Sequence, residues 1–138
     1  MMSIKLKRVI YISEHRDYSN QNLKNIIQSS QKNNPSKDIT GCLISGTITY
    51  LQLLEGPSAS VDELYTKIKT DKRHENILMV VDEIIHDRLF KSWSMRLDPF
   101  NNLMWVNEEL SSGNFSNITP TQAINIFTRI SEDSVAVF

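Results

Sequence analysis

The chain has 138 residues, the length of one domain that buries about two-thirds of its unfolded surface. Its 15 basic and 16 acidic residues give a formal net charge of −1, which argues against a surface dedicated to nucleic acid. The single cysteine, Cys42, excludes an internal disulfide, and no apolar run approaches the roughly 18 residues of a membrane span. The three histidines are not at metal-ligand spacing. We therefore expect a cytoplasmic protein without a bound metal.

The first half of the chain predicts a strand, a helix and a hairpin. Residues 4–13 are rich in Ile and Val and alternate in part, which favours a strand. Ser19 is a candidate N-cap for an amphipathic helix, and Pro35 ends that helix because proline disfavours helical geometry in the residue before it. Residues 39–46 and 49–55 then predict two strands joined by a tight turn.

The next segment predicts a second helix and two further strands. Ser60 and Glu63 are spaced as a capping box at the start of the helix. The apolar run that begins at residue 77 predicts a central strand extending toward residue 85, and the alternation over 90–97 predicts a fifth strand. The order β-α-β-β-α-β-β predicts a ferredoxin-like α+β sandwich, with one sheet and two helices on one of its faces. The apolar stripe of the second helix consists of Val61, Leu64, Tyr65 and Ile68.

The tail has a different pattern, so we divide the chain into a core domain over 4–98 and a C-terminal helical extension over 99–138. Thr119 is a predicted N-cap, with Pro120 at the first helical position and Gln122 as its capping-box partner. We expect this helix to pack on the sheet face that the first two helices leave uncovered. The alternative is that its apolar side binds a partner protein. Its apolar stripe consists of Ala123, Ile124, Phe127 and Ile130.

Two strands each carry a polar side chain inside an apolar run. Tyr11 lies between two isoleucines, and Gln52 lies between Leu51 and Leu53. A buried polar group without a partner costs about 1–3 kcal/mol, so both side chains need partners. A phenol and an amide each donate and accept hydrogen bonds, so together they can form a relay to a bound ligand. A structural glutamine satisfied within the core is the alternative. Near the N-terminus, Lys5, Lys7 and Arg8 are interpreted as a solvated strand end.

Other polar groups lie on the two predicted helices. Asn33 and Asn34 end the first helix, where carboxamides can hydrogen-bond the edge of a planar heterocycle. Lys67 and Asp71 lie one turn apart on the second helix, and Lys67 can reach a phosphate or ribityl oxygen. The alternatives are a plain helix stop before Pro35 and an ordinary i,i+4 surface pair.

A further pair, Trp93 and Met95, lies in the predicted fifth strand and is core by default. With Tyr11 and Gln52, the groups Ser30-Gln31-Lys32-Asn33-Asn34-Pro35, Gly41-Cys42-Leu43 and Trp93-Ser94-Met95 form an ordered set. This set resembles the BLUF family of blue-light sensors that use FAD, over roughly residues 7–98. The resemblance implies that 4–98 is a flavin-binding photosensor domain, with the flavin ring between the two helices.

The resemblance also implies roles for individual residues. Tyr11 is similar to the electron and proton donor of the family, and Gln52 to the glutamine that bridges this tyrosine to the flavin. Trp93 and Met95 resemble the pair that reports or transmits the state of the glutamine. Lys67 stands where the family often has Arg, which keeps the charge but loses the planar fork, so FMN stays open beside FAD. The implied cofactor-binding residues are Ser30, Asn33, Asn34, Gln52, Lys67, Asp71, Ile26 and Ile68.

The mechanism implied by this resemblance needs no substrate. Blue light makes the flavin an oxidant, Tyr11 supplies an electron and a proton, and Gln52 rotates or tautomerises, which shifts the flavin absorption to the red. We expect a photosensory signalling protein that acts through a protein partner or a change in a homo-oligomer. One alternative is a small acylphosphatase-like enzyme, although residues 13–16 supply no glycine for its phosphate loop. The other is a flavin- or ligand-binding module without photochemistry.

Overall fold

The computed structural model describes residues 5–15, 38–45, 49–70, 74–91 and 117–133. Within these ranges the four strands form a single sheet in the order β2-β3-β1-β4, and all neighbouring strands are antiparallel. The predicted ferredoxin-like α+β class is thereby confirmed. The elements are β1 (Leu6–His15), β2 (Thr40–Ser45), β3 (Thr49–Pro57), α1 (Ser58–Lys69), β4 (His74–Ile85) and α2 (Pro120–Asp133).

The central strand β1 has both faces buried, because helices cover the sheet on both sides. Val9 and Tyr11 point to the face that α1 covers, whereas Ile10 and Ile12 point to the face that α2 covers. Successive side chains of a strand project to opposite faces, so a doubly covered strand needs apolar residues at both sets of positions. This explains why the alternation in the sequence of this strand is only partial.

Helix α1 follows β3 directly and begins at Ser58, so the capping box predicted for Ser60 and Glu63 is wrong. Pro57 occupies the N-cap position, and no side chain caps the helix. The Ser58 amide instead donates to the carbonyl oxygen of Lys5 at 2.9 Å. Val61 is the fully buried residue of this helix and packs against the α1-covered face.

Helix α2 begins where the sequence predicts, and its capping box is confirmed. The Thr119 amide donates to Gln122 Oε1 at 3.0 Å, and the Gln122 amide donates to Thr119 Oγ1 at 3.1 Å. The packing of this helix on the second sheet face is also confirmed. Ile124 of the predicted stripe is only half-buried, and Ile126 is buried in addition to Ala123, Phe127 and Ile130.

Several predicted elements lie outside the described residues: the helix that follows Ser19, the helix over 101–110, and residues 92–97 of the fifth strand. Residues 86–91 form no strand, so residues 90 and 91 are not part of one. No helix in the described ranges has both the length and the apolar character needed to cross a bilayer.

Candidate functional site

Tyr11 and Gln52 meet on the α1-covered face of the sheet. They are direct partners across the antiparallel β1–β3 pair, so their side chains project side by side. Tyr11 Oη donates to Gln52 Oε1 at 2.5 Å, and the two residues are 0% and 2% exposed. The structure therefore brings together the phenol and the amide that the sequence singled out.

This hydrogen bond leaves the amide nitrogen of Gln52 without an acceptor among the described residues. A buried donor that makes no hydrogen bond costs about 1–3 kcal/mol. The Nε2 hydrogens of Gln52 therefore require a hydrogen-bond acceptor on the α1-covered face of the sheet. A flavin ring, whose edge carries carbonyl oxygens and unprotonated nitrogens, fits this requirement.

A second tyrosine packs against the relay from α1. The rings of Tyr65 and Tyr11 have centroids 5.4 Å apart and are tilted by 57°. Lys69 Nζ lies over the Tyr65 ring at 5.4 Å from its centroid. Burial raises the pKa of the Tyr65 phenol, and the negative charge of Asp82 adds to this, so the hydroxyl stays protonated near neutral pH. In the sequence Tyr65 stood out only as part of an apolar stripe, four residues after the buried Val61.

Two of the predicted cofactor residues on α1 are described. Ile68 is half-buried and packs against the apolar cluster that contains Tyr11. Lys67 is 62% exposed and pairs with Glu63 at 3.6 Å in an i,i+4 arrangement. The sequence analysis paired Lys67 with Asp71, which lies outside the described residues. The other predicted site residues outside the described ranges are Ile26, Ser30, Asn33, Asn34, Trp93 and Met95.

The opposite sheet face contains a buried ion pair that the sequence reading missed. Arg8 is not at a solvated strand end: it is 8% exposed, and its Nε donates to Glu55 Oε2 at 2.8 Å. Its Nη1 donates to Glu83 Oε1 at 2.9 Å. Glu55 is 0% exposed and lies in the same apolar run of β3 as Gln52. The charged Glu55 in this apolar run therefore indicated a buried polar site as clearly as the amide of Gln52 did.

Glu55 also fixes the segment that follows β4. Its Oε2 accepts the Leu89 amide at 3.0 Å, and its Oε1 accepts the Phe90 amide at 2.9 Å. Hydrogen bonds to an ionised carboxylate are roughly twice as strong as neutral ones. This one side chain therefore ties β3 both to β1 and to residues 89–90.

Arg88 attaches the same segment to the start of β2. Its guanidinium donates to Thr40 Oγ1 at 2.9 Å and to the Asp38 carbonyl oxygen at 3.0 Å. Gly56 permits this approach, because a Cβ there would lie 2.8 Å from the same carbonyl oxygen. In the described ranges, no three His, Cys, Asp or Glu side chains are grouped as a metal site requires.

The chain is similar to known proteins over most of its length. Residues 6–96 match the BLUF family model, described as sensors of blue-light using FAD. The chain is 36% identical over 83 residues to photoactivated adenylate cyclase subunit alpha of Euglena gracilis, which is 59% of this chain and 8% of that protein. It is 31% identical over 93 residues to the blue light- and temperature-regulated antirepressor BluF of Escherichia coli, which is 67% of this chain and 23% of that protein.

These curated relatives are much longer than the segment that the chain matches. Among solved structures, the dark state of the BLUF protein BlrB superposes with a TM-score of 0.82 at 28% sequence identity. That alignment covers 96% of this chain and 99% of that chain.

Proposed function

The chain belongs to the BLUF family of blue-light sensors that use FAD, and we propose that Tyr11 and Gln52 carry its response to light. In this proposal the chain is a photosensory signalling protein rather than an enzyme. The family match also removes the reason for the acylphosphatase-like alternative. The observation that carries the proposal is the hydrogen bond from Tyr11 to Gln52, beside an amide nitrogen for which the described residues offer no acceptor.

A bound flavin supplies the chromophore and, once excited by blue light, the oxidant. Tyr11 would give one electron to the excited flavin, and its Oη proton would follow through Gln52 Oε1, with which it already shares a hydrogen bond. The electron and the proton would return to Tyr11 once Gln52 has changed its state, so the cycle would leave neither group oxidised or reduced. Gln52 then reverses its polarity by rotating or tautomerising, because the two ends of a carboxamide have similar shape and opposite hydrogen-bonding character. The burial of both side chains keeps water from competing for these bonds.

We propose that the flavin is FAD, held between the first predicted helix and α1. Gln52 would hydrogen-bond the flavin, and Ile68, which packs against the Tyr11 cluster, would add an apolar contact. The exposed ammonium of Lys67 would bind the phosphate chain. Its contact with Glu63 is a solvent-exposed pair, which is worth only about 0–1 kcal/mol and yields easily to a phosphate. Ser30, Asn33, Asn34, Asp71 and Ile26 complete the proposed set.

The output is proposed to reach a downstream protein or to change self-association, in the cytoplasm. The relatives are named as adenylate cyclases and as an antirepressor, so the same sensor module accompanies different outputs in different proteins. The small net charge of this chain gives no support for direct binding of nucleic acid.

The test is the absorption spectrum of the purified protein before and after blue light. We expect a yellow protein whose released cofactor is FAD by chromatography, with a reversible shift of the absorption to the red. Tyr11→Phe and Gln52→Leu should keep the flavin and lose the shift. Tyr50→Phe is the matched control, since it removes the hydroxyl of a different buried tyrosine, which lies in β3 two residues from Gln52. A protein that takes up no flavin, or a Tyr11→Phe variant that shifts like the wild type, contradicts the proposal.

A further inference from the structure

We propose that Glu55 couples the strand of the light-sensing relay to helix α2, by holding residues 89–90 between them. The device, called here the Glu55 clamp, consists of Arg8, Glu55 and the backbone amides of Leu89 and Phe90. Its role in signalling rests on the proposed function, whereas its geometry does not. The clamp acts by positioning other groups and has no part in the photochemistry.

The clamp and the relay share one strand but face opposite sides of the sheet. Gln52 projects toward α1, and Glu55, three residues further along β3, projects toward α2. Successive residues of a strand alternate between faces, so an odd separation places two residues on opposite faces. A displacement of β3 caused at Gln52 is therefore carried through the sheet to the Glu55 carboxylate by the backbone alone.

The Glu55 carboxylate is restrained so that it has to move together with β3. It is completely buried and accepts three hydrogen bonds, from Arg8 Nε at 2.8 Å, the Leu89 amide at 3.0 Å and the Phe90 amide at 2.9 Å. An ionised carboxylate can only accept, and a buried group that loses a charged hydrogen bond is penalised heavily. When β3 shifts, residues 89–90 follow it or buried hydrogen bonds break.

Phe90 passes this displacement on to α2. Its buried ring meets the ring of Phe127 edge-on, with centroids 6.3 Å apart and planes at 85°. Phe127 is fully buried in the middle of α2, among apolar contacts with the sheet. Apolar contacts are non-directional and allow sliding, whereas the amide–carboxylate bonds of the clamp have direction. The clamp therefore fixes the position of Phe90 relative to β3, and the edge-on contact of its ring with Phe127 passes that position on to α2.

The test is hydrogen exchange followed by mass spectrometry on the full chain, in darkness and under blue light. The flavin spectrum is recorded on the same samples. In the wild type we expect the red shift together with a light-dependent change in exchange over α2. Glu55→Gln should keep the flavin and the red shift. It should also raise dark exchange at residues 89–90 by about tenfold and abolish the light-dependent change in α2.

Glu83→Gln is the matched control. It removes an equal charge from the same Arg8 guanidinium, but Glu83 does not hold the amides of Leu89 and Phe90. We expect it to keep both the protection of residues 89–90 and the response of α2. An equal loss in the two variants would assign the effect to the charge on Arg8 and would overturn the clamp.

Phe90→Leu provides a second test if Glu55→Gln does not fold. The backbone amide stays, so residues 89–90 should keep their protection while the light-dependent change in α2 falls. The inference is overturned if the wild type shows the red shift but no light-dependent change in hydrogen exchange over α2. It is also overturned if that change is the same in Phe90→Leu as in the wild type. A wild type without any red shift instead contradicts the proposed function, and the spectrum separates that result from a failure of the clamp.

Discussion

At the scale of single residues, the packing of Tyr65 on Tyr11 sets the position of the donor ring. Tyr65→Phe keeps the ring contact, so the red shift and the stability should stay near those of the wild type. Tyr65→Leu removes the aromatic pair and should cost about 1 kcal/mol of unfolding free energy beyond the loss of buried area. It should also change the rate of dark recovery, because Tyr11 is less restrained toward Gln52.

Urea unfolding and recovery kinetics, measured on both variants, check this prediction. Equal effects of Tyr65→Phe and Tyr65→Leu would show that the hydroxyl of Tyr65, rather than its ring, matters for the site.

Lys7 of β1 connects its strand to α1 and β4, and this makes the unfolding free energy depend on pH in the alkaline range. Its Nζ lies 2.9 Å from Asp62 Oδ1 of α1 and 3.1 Å from Asp82 Oδ1 of β4. The hydrogen bond to Asp62 is the main cause that raises the pKa of Lys7 above its ordinary value of 10.5, with Asp82 acting in the same direction. A raised pKa in the folded state means that the stabilisation is complete below the unfolded pKa and is lost as pH rises through the folded one.

Lys7→Met should therefore be less stable than the wild type by about 0.5–1 kcal/mol at about pH 8. The difference should shrink at about pH 11, which is above the ordinary lysine pKa of 10.5, because Lys7 of the unfolded chain is then largely uncharged and folding has to take up a proton. Urea unfolding of both proteins at the two pH values measures it. A difference that grows with pH would contradict the assigned role of Lys7.

At the scale of elements, the capping box of α2 is a local signal with a measurable contribution. Thr119→Ala removes the acceptor for the Gln122 amide and should lower the unfolding free energy by about 1 kcal/mol. Thr121→Ala is the control, because Thr121 is exposed and lies inside the same helix. Thermal or urea unfolding of the two variants compares them directly. Equal stability of the two would mean that α2 is held by its packing alone.

The elements that the sequence predicted well are those marked by local chemistry. Thr119, Pro120 and Gln122 fix the start of α2 through contacts within one turn of helix, so a short stretch of sequence is sufficient. The start of α1 was misplaced because Ser58 is held by the distant carbonyl of Lys5 rather than by a cap of its own. Contacts between residues so far apart in the chain leave no local pattern.

The site shows the same division. The buried Tyr11–Gln52 pair was foreseeable, since each polar side chain interrupts an apolar strand and the two strands are neighbours in the predicted fold. The partners of Arg8 were not, because they are residues of β3 and β4 that only the strand order brings beside it. The lesson from Glu55 is that a lone charge in an apolar strand calls for a partner as strongly as a lone amide does.

At the scale of the whole molecule, the sheet separates the two proposed functions. Its α1-covered face holds the relay, and its α2-covered face holds the clamp and the C-terminal helix. The division into a photosensor domain over 4–98 and an extension over 99–138 stays a prediction. Because α2 shares one apolar core with the strands, we expect the extension to be bound to the sensor in the dark and to report on it.

A variant of the full chain in which α2 is detached from the sheet tests whether this helix transmits the light signal. Ala123→Asp places a charge at a fully buried position of this helix, which should loosen its contact with the sheet. The Tyr11–Gln52 face is untouched, so the flavin and the red shift should remain. The apolar face under α2 becomes accessible, and exposed apolar patches promote association, so the variant should self-associate already in the dark.

Thr121→Asp is the matched control, since it adds the same charge to the same turn of α2 at an exposed position. Light scattering in darkness and under blue light, on samples whose red shift is recorded, compares both variants with the wild type. We expect a light-dependent change in association for the wild type and Thr121→Asp, and none for Ala123→Asp. Coupling of this kind is typically about 1–3 kcal/mol, so the expected signal is a shifted equilibrium rather than refolding. Identical light-induced changes in all three proteins would show that the output leaves the sensor by another surface.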